Sequence, residues 1–155
     1  MAESVFSEAV TNLLVTHFQH LSEGIGISID VIRERGYRSL LGKSELEKLG
    51  FSSSQRRTPG ILVPLWSVDG KEAGFQFRPD HPRSDRRGRP VKYDSPAGSS
   101  NRLDCPPRCQ KMLGNPQVPL WITEGSKKAD ALASKGACAI SVTGVWGFKG
   151  KNRFK

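Results

Sequence analysis

The sequence predicts an α/β chain, α+β overall: N-terminal helices, a small basic mixed α/β lobe built on an antiparallel hairpin, and then a βαβ unit opening a parallel sheet. Three observations predict it. Apolar residues recur at helical spacing near the N-terminus. Two strand-like runs flank an Asp-Gly turn at 69–70. Two unalternating apolar runs bracket a small-residue helix pattern between residues 118 and 144.

Residues 3–21 carry Val5, Phe6, Ala9, Val10, Leu13, Leu14, Phe18 and Leu21, the stripe of an amphipathic helix. "SEGIG" breaks it. Ser28 is placed to cap a second helix, "IDVIRERG", which Gly36 stops. "SELEKLGF" reads as a third, capped by Ser44 and ended by Gly50, and residues 52–59 as a linker. "ILVPLWSV" (61–68) and "AGFQFRP" (73–79) are the hairpin strands, with Pro64 arguing for an edge position or a bulge in the first. Residues 80–117 are rich in Pro, Gly, Ser and Arg, and only "RPVKYDSP" has strand character. A loop that long has a job or is disordered. "VPLWITE" then reads as a buried strand and "SKKADALASKG" as a helix with Ala129, Leu132 and Ala133 inward, stopped by Gly136. "ACAISVTG" is a second strand parallel to the first, both covered on two faces. The expected segments are 1–52, 60–114 and 118–155.

Lys and Arg number 24 against 15 acids in 155 residues, a net charge of +9 that favours a polyanionic partner. No apolar run approaches the roughly 20 residues of a membrane span. "MAESVFSEAV" has acids where a signal peptide needs positive charge, so the chain is read as cytoplasmic. Three cysteines, an odd count, make no disulfide framework, and Cys138 is read as a small buried hydrophobe. Cys105 and Cys109, in "CPPRC", are spaced as in some zinc sites, but His81 is the sole nearby further ligand and four are needed. Ligand count therefore favours two thiols in a polar loop over zinc. Trp66 and Trp121, in strands, are assigned to the core, and Trp146 is the candidate exposed platform.

One carboxylate stands at the seam of the last unit. In parallel sheets functional groups gather at the carboxyl ends of strands, where Glu124 sits, and Gly125 permits the turn into the helix. Glu124 either projects into a crevice there or merely favours the first helical turn.

The stretch "LWITEGSKKADALASKGACAISVTGVWG" resembles the first half of a Toprim domain, shared by bacterial-type primases, topoisomerases and phage primase–helicases. "ILVPLWSVDGKEAGFQFRPD…GRPVKYDSPAGSS" resembles the basic lobe before Toprim in replicative primases, with Arg78, Lys92, Tyr93, Ser95 and Pro96 on its motif. A "Gly-Tyr-Arg-Ser" turn at 36–39 is similar to that of Toprim-like replication proteins of phages, plasmids and integrated elements. The resemblance implies a role for Glu124 in metal-dependent phosphoryl transfer, and guidance of single-stranded DNA or nucleotide by the basic lobe. A helicase domain is an implied partner in a full-length protein, and no membrane is implied. Two departures stand out: Lys128 occupies a position four after the Glu where many primases have an acid, the nearest here being Asp130, and no later strand ending Asp-x-Asp follows. Mg²⁺ usually takes more than one carboxylate plus substrate phosphates, so Glu124 alone gives a weak or incomplete site. The chain is expected to be the N-terminal portion of a larger primase-like protein or a truncated relative, inactive by itself.

The nucleic-acid- or nucleotide-binding candidates are Arg78, Arg87, Arg89, Lys92, Tyr93 and Lys127. Arg87 and Arg89 belong to the basic stretch 83–92, where nucleic-acid contact is favoured over a solvated loop; the tail "FKGKNRFK" is read as solvated. Two other function classes stand beside the primase-like one: a non-catalytic single-stranded DNA-binding module of a mobile-element replication protein, and a small DNA-binding regulator using residues 5–35 with Arg33 and Arg35.

Overall fold

Four short helices and five strands form two sheets joined through a buried charged knot in the computed structural model, which describes residues 12–143. The predicted helical residues 3–11, Trp146 and the basic tail lie outside the described residues. Helix α1 spans Val15–Ser22 and α2 Ile29–Arg35. The Ser28 hydroxyl accepts the Val31 N–H, and Gly36 adopts φ 81° just past the helix, so both predicted signals act as read. Helix α3 is Lys43–Lys48; its N-cap is Gly42 rather than Ser44, which lies inside the first turn.

The segment 36–39, expected to be a turn, instead runs into strand β1, Arg38–Leu40. β1 pairs antiparallel with β2 (Gly60–Trp66), which pairs with β3 (Glu72–Pro79) around the 69–70 turn. β2 is therefore the middle strand. Pro64 is tolerated there because β1 reaches only to Leu62, so no β1 group waits for the missing N–H. The unalternating apolar run is explained by two covers. Ile61 and Val63 pack with Leu21, Ile27, Val31, Ile32 and Tyr37, while Leu62 faces Leu40, Leu46, Phe51 and Phe77 on the other side.

The expected linker is held in place. Ser53–Gln55 is a 3₁₀ turn closed by a capping box, and the Gln55 amide donates to the Ser95 carbonyl at 2.8 Å. The long irregular stretch is equally tied: Asp94 bridges Phe77 of β3, and Asp104 bridges Ser141. "CPPRC" enters a 3₁₀ helix, Pro107–Met112. Cys105 and Cys109 lie fully buried with Cys138, Ala133 and Ile140, not in a polar loop, and burial drives Cys105 up to about 12.

β4 (Leu120–Thr123), α4 (Ser126–Ala133) and β5 (Cys138–Ser141) form the predicted βαβ unit, with parallel pairing. β5 is buried throughout. β4 is not covered as expected: Leu120, Trp121 and Ile122 are exposed, Trp121 at 55%. Trp66 is half-buried and donates its indole N–H to the Arg35 carbonyl.

The knot is Arg35. Its guanidinium, with no exposed surface, makes a two-pronged pair with Asp130 of α4 (Nε–Oδ2 3.0 Å, Nη2–Oδ1 2.7 Å). It also bonds Asp104 and the Pro64 carbonyl. Tyr37 donates to Asp130, and Asp104 further accepts from the Trp66 N–H and the Ser141 hydroxyl. Burial alone would pull Arg35 down, but Asp130 and Asp104 outweigh it and hold it firmly charged. This removes Arg35 from any duplex-reading surface, correcting the regulator expectation. It also explains Asp130: the nearest acid to Glu124 is a structural counterion. No described helix is long and apolar enough to cross a membrane.

Candidate functional site

At the carboxyl end of β4 the chain turns through Gly125 into α4, and Glu124 stands at that seam with its side chain 44% exposed. It lines a cleft of about 420 Å³ together with Gln76 of β3, Tyr93, Ser95, Lys127 and Lys128. The β3 edge with Tyr93 and Ser95 thus forms one wall, and the first turn of α4 the other. A second hollow of about 220 Å³ shares Ser95 and Thr143 with it and continues past Gly98 to Arg102.

The Glu124 carboxylate is paired with the Lys128 ammonium one helical turn on. The residue that departs from the primase pattern therefore neutralises Glu124 instead of reinforcing it. Among the described residues no group of three or more His, Cys, Asp or Glu is placed to hold a metal ion. One carboxylate already bonded to an ammonium does not fit Mg²⁺, which takes several oxygen ligands.

The cations across the cleft are differently placed. Lys127 is half-buried, its ammonium 5.2 Å from the Tyr93 ring centroid and 3.1 Å from His20 Nε2. Burial, then Arg78 and Lys92, lower Lys127 to about 8. Burial, then Lys127 and Arg78, press His20 to about 4, so near neutral pH its ring nitrogen accepts from Lys127. Burial raises Tyr93, with the nearby Arg78 charge opposing. Lys127 and Tyr93 thus share the cleft wall, Arg78 and Lys92 lie near enough to Lys127 to lower its proton affinity without lining the cleft, and none of the three cations has an ion-pair partner among the described residues.

Arg87 and Arg89 do not line the cleft. They belong to a separate turn, where Arg89 pairs with Asp85. His20 is the residue that sequence reasoning missed. Nothing local marks a histidine on the first helix as a neighbour of residue 127; only the packing of α1 beside α4 does.

Residues 109–155 match the model of a domain of unknown function, DUF3854. An uncharacterised protein of Picosynechococcus sp. is 27% identical over 191 aligned positions, covering 94% of this chain and 19% of that protein. Among solved structures, the DnaG catalytic core superposes with a TM-score of 0.60 at 18% identity, over 88% of this chain and 50% of that one. The Aquifex aeolicus primase (zinc binding and RNA polymerase domains) gives 0.61 at 14%, over 86% and 38%. A DnaG primase catalytic domain bound to ssDNA gives 0.56 at 17%, over 89% and 50%. The chain therefore has the fold of part of a primase catalytic core. It spans half or less of those chains and about a fifth of the curated relative.

Proposed function

We propose that this chain is the strand-holding part of a primase-like DNA-replication protein, its cleft taking single-stranded DNA or nucleotide phosphates. The observation that carries this is Lys127 seated on Tyr93 in the cleft wall, with Arg78 and Lys92 close enough to lower its proton affinity and no carboxylate paired to any of the three among the described residues. Cations lower one another's proton affinity when crowded, and an anion placed among them relieves that cost. Tyr93 acts as a bed for Lys127, fixing the ammonium by a cation–π contact. Unprotonated His20 holds it from the opposite element. Likeness to a primase domain bound to ssDNA supports the ligand class.

Nucleotidyl transfer, the resemblance's further implication, would need carboxylates beyond Glu124, so the role argued for these residues is binding and alignment. Fluorescence anisotropy with a labelled oligothymidylate tests it. Lys92→Ala and Lys127→Ala should each weaken binding, and Glu124→Gln should not. Wild-type affinity in both lysine variants would sink the proposal.

A further inference from the structure

The arginines that miss the cleft are arranged too specifically to be a solvated loop. Residues 83–91 fold back on themselves: Val91 N–H donates to the Arg83 carbonyl at 2.8 Å, Asp85 N–H to the Arg89 carbonyl at 2.8 Å, and Ser84 bridges Pro90. The tip is a tight turn, Asp85 to Gly88, with Gly88 at φ 76° where a side chain would be strained. One Asp85 carboxylate oxygen accepts both the Arg87 and Arg89 N–H groups, at 2.8 and 2.9 Å. The base is anchored because Arg83 donates to Asp94, which is only 3% exposed, at 2.8 Å. The one acid at the tip is thus spent on the turn and on Arg89. Arg86 and Arg87 stay exposed, with no ion-pair partner among the described residues.

We propose that this hairpin is a second contact for the sugar-phosphate backbone of a nucleic acid strand, engaged only by ligands long enough to leave the cleft. The returning arm runs through Lys92 into Tyr93, so Arg89 stands four residues from the cleft wall. Four residues span at most about 14 Å, so a strand leaving the cleft can reach the hairpin. A rigid turn presents guanidinium groups with no backbone left to order and suits a repeated phosphate array. Residues 84–90 are Ser, Asp, Arg, Arg, Gly, Arg and Pro, with no large apolar side chain to enter a membrane. A nucleic acid is therefore favoured over an anionic lipid surface.

The inference rests on the proposed function only for the ligand class, and a length series separates the two. Binding of a 4-nucleotide and a 24-nucleotide oligothymidylate is measured across 50–200 mM salt for wild type, Arg86→Ala/Arg87→Ala and Lys127→Ala. The double arginine variant should leave the short oligomer unaffected. On the long one it should flatten the slope of log K against log salt by about 1.4, two contacts at about 0.7 each, so that wild type loses about sevenfold more affinity than the variant over that range. Arg86→Lys/Arg87→Lys should restore most of the slope. A double variant equal to wild type on the long oligomer overturns the hairpin and leaves the cleft standing. Loss confined to phosphatidylserine vesicles also overturns it. An arginine effect on the long oligomer with no Lys127 effect on either length sinks the cleft and keeps the hairpin.

Discussion

Removing Asp130 tests the knot that joins the two sheets. In Asp130→Ala the Arg35 guanidinium keeps Asp104 and the Pro64 carbonyl, both on Nη1, but Nε and Nη2 lose their acceptor in a site with no exposed surface. Tyr37 loses its acceptor too. Breaking a buried pair by deleting one partner costs about 3–5 kcal/mol. Counting the two stranded guanidinium donors at about 1.5–3 kcal/mol each gives about 3–6, the same range. A domain of this kind is stable by about 5–15 kcal/mol in total, so the loss is a large share of it. With a urea m-value of about 2 kcal/mol per molar, the midpoint should fall by about 1.5–2.5 M. Asp130→Asn, which keeps the shape and one acceptor, should lie between. Urea unfolding followed by far-UV circular dichroism reads both. An alanine variant within about 1 kcal/mol of wild type would refute the claim that these charges are buried and mutually dependent. Arg35→Met gives the converse signature. Two carboxylates buried without a cation hold their protons, folded-state pKa values rise, and the variant should lose stability as pH climbs through them.

Oligonucleotide affinity should fall as pH rises past about 8, because the unliganded cleft must then take up a proton on Lys127 before it can pair with phosphate; anisotropy between pH 6.5 and 9.5 reads this, and Lys127→Arg should flatten the profile. Gly60→Ala should destabilise by about 1–3 kcal/mol, since its Cβ would sit 2.5 Å from the Arg78 carbonyl oxygen and 2.8 Å from the Pro79 Cα, neighbours that cannot swing away; thermal unfolding checks it. Glu124→Gln removes an exposed pair and should shift stability by less than about 1 kcal/mol in the same unfolding assay.

The βαβ unit, the hairpin and the second helix were legible because each is written locally: a cap, a glycine stop, an Asp-Gly turn, an unbroken apolar run. Burial was legible only in part. An apolar run says that a strand is suited to being covered, not that something covers it, and β4 shows the difference with Trp121 in water. β1 has three residues, too few for any period, and becomes a strand only because β2 lies alongside. The two thiols of "CPPRC" look polar among prolines and an arginine, yet they are drawn inside by Ala133 and Ile140 from a helix and strand farther along the chain. Arg35 looked like an ordinary helix-end cation; its partners lie 69 and 95 residues away.

The same distances explain why net charge was a poor guide to place. The acids around the βαβ unit are engaged internally. Asp104 and Asp130 serve Arg35, Asp94 holds Arg83, Asp85 builds a turn, and Glu124 is met by Lys128. Together these carboxylates engage four cations, Arg35, Arg83, Arg89 and Lys128, that composition alone counts as available. What remains on this side is Lys127 in the cleft wall, with Arg78 and Lys92 near enough to lower its proton affinity after burial has done so. A site meant chiefly to collect a divalent cation needs the opposite arrangement, carboxylates crowded until metal relieves them. Here no described carboxylate is paired with Arg78, Lys92 or Lys127, an arrangement that suits the anionic ligand proposed above better than a metal ion.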